Sequence, residues 1–76
     1  MKILIIGAGG REHSLGVALK KSPQCEQLYF APGNAGTSKV GTNIDIRDTD
    51  VTSLLDFAIK NDIDLTMVGP EAPLVD

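Results

Sequence analysis

The run Ile3-Leu4-Ile5-Ile6, followed at once by Gly7-Ala8-Gly9-Gly10, constrains this chain more than any other feature. Four consecutive apolar, mostly β-branched residues suit a strand buried on both faces, as inside a parallel sheet. The glycines permit a sharp strand-to-helix turn and let main-chain amides approach a ligand closely. A helix starting near Gly10 or Arg11 aims its unpaired amide hydrogens and the positive end of its dipole at the same spot. Such a spot attracts an anion, most often phosphate.

Arg11 strengthens that expectation. A cation at a helix N-terminus opposes the dipole at a cost of up to about 1 kcal/mol, and a bound anion would neutralise both. Guanidinium also grips phosphate in two-point fashion. The plainer alternative is that Arg11 points to water or pairs with Glu12. Glu12 favours the dipole, so it either supports the helix end or touches the ligand. His13 is the single histidine, open to a catalytic role or to tying the turn to a neighbouring loop.

Several anion carriers fail on sequence. The dinucleotide fingerprint G-x-G-x-x-G has Gly7 and Gly9, but Glu12 stands at the third glycine position. An acidic residue is also wanted at the end of the second strand to hold ribose hydroxyls, where this chain has Phe30-Ala31-Pro32-Gly33. No glycine-lysine-serine or glycine-lysine-threonine completes a P-loop. A phosphate-binding turn of Rossmann type remains, without a dinucleotide's second half-site.

The 76 residues allow one small domain, and chains of this size bury only about 60 to 65% of their unfolded surface. With a net charge of -3, the composition suggests neither nucleic-acid binding nor an anionic membrane surface. Cys25 is the lone cysteine, which excludes an intrachain disulfide and fits a reducing compartment. The N-terminal apolar run is too short for a signal-peptide core or a membrane span, so a cytoplasmic location is expected.

Along the chain, residues 2–6 are expected as the first strand and 11 to about 21 as the first helix, with Leu15, Ala18 and Leu19 as its apolar stripe. Residues 27–31 read as the second strand. The small, polar, glycine-rich stretch from Pro32 to Thr42 reads as a binding loop, in which Asn34 and Thr37 could donate to sugar or phosphate oxygens or simply shape a turn. Residues 43–46 alternate as a short, half-exposed strand. Asp50 is placed to cap a helix from about Val51 to Asn61 with a stripe of Val51, Leu54, Leu55 and Ala58. Asp45, Asp48 and Asp50 lack the spacing of a calcium loop and read as caps and solvated charges. A last strand at 64–68 leads into Gly69-Pro70-Glu71-Ala72-Pro73-Leu74, whose prolines hold Glu71 where it can meet ribose hydroxyls or an amine, or serve as an ordinary loop charge.

Right-handed crossovers make these strands parallel, so the loops after Gly7, Pro32 and Gly69 emerge together at the carboxyl edge, where open α/β sheets bind ligands. A helix should follow Leu74 in such a pattern, so the chain is expected to be part of a longer one.

Gly9-Gly10-Arg11-Glu12-His13, Ala31-Pro32-Gly33-Asn34-Ala35-Gly36-Thr37 and Gly69-Pro70-Glu71-Ala72-Pro73-Leu74 together resemble the N-terminal domain of the glycinamide ribonucleotide synthetase (phosphoribosylamine-glycine ligase) family, over all of residues 1–76. Ala8 and Ser14 stand where that family commonly has Asn and Ala. The resemblance implies a Rossmann-like domain preceding ATP-grasp and C-terminal domains that this chain does not contain. It implies a ligase of de novo purine synthesis that joins 5-phosphoribosylamine to glycine through a glycyl phosphate, with ATP and Mg or Mn bound outside these residues. Carried onto this sequence, it implies Gly9, Gly10 and Arg11 as phosphate contacts. Glu12, Gly33, Asn34, Thr37 and Glu71 complete the substrate-binding set, with no catalytic or metal-binding residue among them. On this basis residues 1–76 alone should have no ligase activity. The competing expectations are a nucleotide-binding module of a dehydrogenase, the N-terminal domain of another ATP-grasp carboxylase or ligase, and an interaction fragment with an unused site.

Overall fold

The computed structural model describes residues 1–68. The expected loop at residues 69–74, Glu71 included, lies outside the described residues. The elements run β1 (Lys2–Gly7), α1 (Gly10–Lys20), β2 (Gln27–Pro32), a turn of 3-10 helix (Thr37–Lys39), β3 (Thr42–Asn43), α2 (Val51–Lys60) and β4 (Leu65–Val68). The four strands form one sheet in the order β3-β2-β1-β4, with every neighbouring pair parallel. This is the expected Rossmann-like α/β arrangement.

β1 reads as an unbroken apolar run because it is flanked on both edges and covered on both faces. Ile3 sits opposite Leu28 on one side and Leu65 on the other. Ile3 and Ile5 join Leu28 and Phe30 on one face, beneath Leu15 and Leu19 of α1. Leu4 and Ile6 join Ala31 on the other, beneath Leu54 and Phe57 of α2. The chain therefore steps outward from β1 to β3 with α1 on one face and returns across the other face through α2 to β4. The strand order reverses at β1, which makes its carboxyl end the topological switch point where α/β sheets bind ligands.

Both helices depart from their expected stripes. In α1, Ala18 is exposed and the buried position is Gly16. The Phe30 ring lies so close to Gly16 that any side chain there would overlap it, so α1 packs by backbone contact, which hydrophobic spacing cannot register. In α2, Leu54 is buried, but Val51 is 71% and Leu55 60% exposed. Both line an apolar groove of about 340 Å³ that continues over Leu4, Ile6 and Val68. The expected strand at 43–46 is also shortened. After Asn43, the Ile44 N–H still donates to the Phe30 carbonyl at 2.7 Å, but the Ile46 N–H turns back to the Ile44 carbonyl. The chain leaves the sheet there, with Ile44 and Ile46 both packed on the α2 side.

Asp50 caps α2 as its position predicts, accepting from the Ser53 N–H at 3.2 Å and the Ser53 hydroxyl at 2.8 Å. The Ser53 hydroxyl, and after it the Ser53 amide, holds the Asp50 carboxyl below its ordinary value. A carboxyl with a lowered folded pKa stabilises above its unfolded pKa and loses that contribution as pH falls through the folded one. Asp50→Ala is therefore expected to lower the melting temperature at neutral pH. The gap to the unaltered protein should close in strong acid, as followed by circular dichroism melts across a pH series.

Candidate functional site at the carboxyl edge

β1 ends at Gly7 with φ +138, a conformation essentially reserved for glycine. That rotation turns the chain out of the sheet and into Gly9, which caps α1 in an extended conformation. The Gly9 N–H donates to Glu12 Oε1 at 2.7 Å, and the His13 N–H donates back to the Gly9 carbonyl. Gly10, the first residue of α1, is exposed, and a side chain there would meet nothing within 4 Å beyond its chain neighbours and the backbone of its own helix. Its amide is one of those that a helix start leaves without an intrahelical acceptor. The dipole's positive end thus lies at the switch point, beside an exposed Gly10.

The loop after β2 is fastened to this turn. The Gly33 N–H donates to the Gly7 carbonyl at 3.1 Å, and Asn34 Nδ2 donates to the Ala8 carbonyl at 2.6 Å. Within the loop, the Asn34 N–H donates to Thr37 Oγ1 at 2.7 Å, and the Thr37 N–H donates to Asn34 Oδ1 at 2.9 Å. The Thr37 hydroxyl lies within donor reach of both Asn43 Oδ1 and the Asn34 carbonyl. Asn43 Nδ2 also donates to the Asn34 carbonyl, at 2.8 Å.

The structure thus brings Gly9, Gly10, Arg11, Glu12, Gly33, Asn34 and Thr37 to one edge, in two tiers. Gly10 and Arg11 are exposed there. Glu12 and Thr37 are buried, at 1% and 0% exposure, and their side chains bond to the turn and the loop respectively. His13 packs against the loop, with its Cε1 and Nδ1 3.0 and 3.1 Å from where a Gly36 side chain would begin. Asn43, which carried no expected role, proves to be the loop's third anchor; an amide side chain at a strand's carboxyl end was its only sequence signal.

Residues 1–76 match the family described as phosphoribosylglycinamide synthetase, N domain. The chain belongs to this family. Among relatives of the synthetase family, the phosphoribosylamine-glycine ligase of Yersinia pestis is 58% identical over 77 residues, covering 99% of this chain. That of Escherichia coli strain K12 is 54% identical over the same length. A crystal structure of the Thermotoga maritima ligase superposes over 100% of the chain with a TM-score of 0.64 and 35% identity. The chain spans 18% of the length of each of these relatives. What it shares with the solved ligase is thus the α/β fold described above.

Proposed function

We propose that this chain is the N-terminal, phosphoribosyl-binding part of a phosphoribosylamine-glycine ligase of purine biosynthesis. The observation that carries the proposal is the open start of α1 at Gly10, set at the switch point and backed by a loop bonded to the turn through Gly33 and Asn34. In this reading the 5-phosphate of phosphoribosylamine sits against the Gly10 amide, with the Arg11 guanidinium closing over it. Gly9 shapes the turn, since its own N–H is given to Glu12. Gly33, Asn34 and Thr37 set the height of the loop beside the sugar. Glu71 follows β4 in sequence, whose carboxyl end lies at the same edge, and is assigned to a ribose hydroxyl or the amine.

Among the described residues no group of three or more His, Cys, Asp or Glu side chains could hold a metal ion. ATP, Mg or Mn, glycine activation and the ATP-grasp fold are assigned to the parts of the ligase beyond this chain. When bound there, ATP would supply the phosphoryl group that activates the glycine carboxylate, with the metal ion neutralising phosphate charge. What these residues contribute is orientation of the phosphoribosyl amine. No helix among the described residues is long and apolar enough to cross a membrane. A cytoplasmic setting, where the free Cys25 stays reduced, is part of the same proposal.

Ribose 5-phosphate titrated into the protein should shift the amide NMR signals of Gly10 and Arg11 and saturate. NAD should leave them in place. Tighter binding of NAD than of ribose 5-phosphate would instead favour a dehydrogenase module and overturn the proposal.

A further inference from the structure

Glu12 is buried to 1% exposure although it belongs to the first, solvent-facing turn of α1. One carboxyl oxygen accepts the Gly9 N–H at 2.7 Å. The other, Oε2, is buried with no hydrogen-bond partner. Enclosing a carboxyl with one oxygen unpaired is unfavourable, and a first-turn glutamate can ordinarily turn to water. The buried placement needs something that it holds.

The geometry identifies what that is. A side chain on Gly7 would begin 2.7 Å from Glu12 Cγ and 2.8 Å from Cδ and Oε1, so the carboxyl occupies the space left by the bare Gly7. Gly7 and Gly9 are thereby fixed from beneath, one by contact and the other by a hydrogen bond. The Gly7 carbonyl in turn receives the Gly33 N–H, so the orientation of the Gly7 peptide also sets the loop.

We propose that Glu12 is the positioning residue of the anion turn. It draws the Gly9 amide inward, leaves the Gly10 amide as the outward donor, and passes the turn's geometry to the loop at Gly33. It acts through the turn and does not touch the ligand. This inference rests on the reading that the turn binds the phosphoribosyl phosphate.

The test uses the full-length ligase carrying this domain, with E12A, E12D and E12Q. Aspartate is one methylene too short to reach Gly9 from the same place, whereas glutamine keeps a carbonyl oxygen for it. E12A and E12D are expected to raise the KM for phosphoribosylamine about tenfold to a hundredfold, while kcat moves far less. In the ligand-free enzyme, the amide signals of selectively labelled Gly7 and Gly9 should be displaced. E12Q is expected to restore most of both readouts, and together with E12D it decides the matter if E12A does not fold. An unchanged KM in E12D overturns the proposal. So does a raised KM with undisturbed glycine signals, which would mean that Glu12 touches the ligand. So does an E12Q variant as impaired as E12D. Failure of the phosphate reading has a different signature: ribose 5-phosphate leaves Gly10 unmoved in the unaltered protein, while the Gly9 signal still responds to E12D.

Discussion

Gly7→Ala is expected to destabilise the domain by about 3 kcal/mol or more, because two separate penalties fall on one methyl group. The first is conformational: at φ +138 an L side chain is strained by roughly 1 to 3 kcal/mol. The second is steric, since the new Cβ would begin 2.7 Å from Glu12 Cγ. Relief by moving Glu12 breaks its bond to Gly9, and relief by moving the backbone shifts β1, the strand every other strand is built around. A domain of this size has a total stability of roughly 4 to 11 kcal/mol, so the substitution removes a large part of it. Urea unfolding of the single and double variants separates the two penalties. Adding Glu12→Ala to Gly7→Ala should recover the steric part and leave the conformational part in place, giving a coupling energy of about 1 kcal/mol or more. Additive effects would show that Gly7 and Glu12 do not share one space.

The strand and the turn could be read from sequence because each advertises itself through side chains or their absence in a row. Ile3 to Ile6 declare burial on both faces, and Gly7, Gly9 and Gly10 declare a backbone doing what side chains would prevent. The parallel sheet and the gathering of the turn and the Gly33 loop at one edge follow from connection handedness. What escaped the sequence were contacts that no apolar spacing or turn signature encodes. Gly16 lets α1 sit against the Phe30 ring, yet a residue without a side chain adds nothing to an apolar stripe, so the spacing points to Ala18 instead. Glu12 is open on sequence to supporting the helix end or touching the ligand, and only the vacant side of Gly7 reveals why it is inside. Thr37 is open on sequence to a ligand contact or a turn role, and the loop folds its hydroxyl onto Asn43. In α2, Val51 and Leu55 have the spacing of a buried face, but among the described residues they line a groove rather than a closed core.

The largest effect on binding is expected from Arg11→Ala. Hydrogen bonds to charged groups contribute about 1.5 to 3 kcal/mol, which corresponds to a KM for phosphoribosylamine raised roughly tenfold to 150-fold in the full-length ligase. KM values for glycine and ATP should stay near those of the unaltered enzyme, since the proposal assigns both to other domains. Arg11→Lys keeps the charge but loses the planar two-point grip, so it should fall between the two. Stability is the control. Arg11 is exposed and stands where a cation opposes the helix dipole, so the ligand-free melting temperature should change little in either direction. A phosphate contact therefore predicts a large loss of affinity with almost no loss of fold, the reverse of Gly7→Ala, where both go together. If Arg11→Ala leaves the KM for phosphoribosylamine unaltered, the anion is not held by this guanidinium, and the assignment of the α1 start as the phosphate site fails with it.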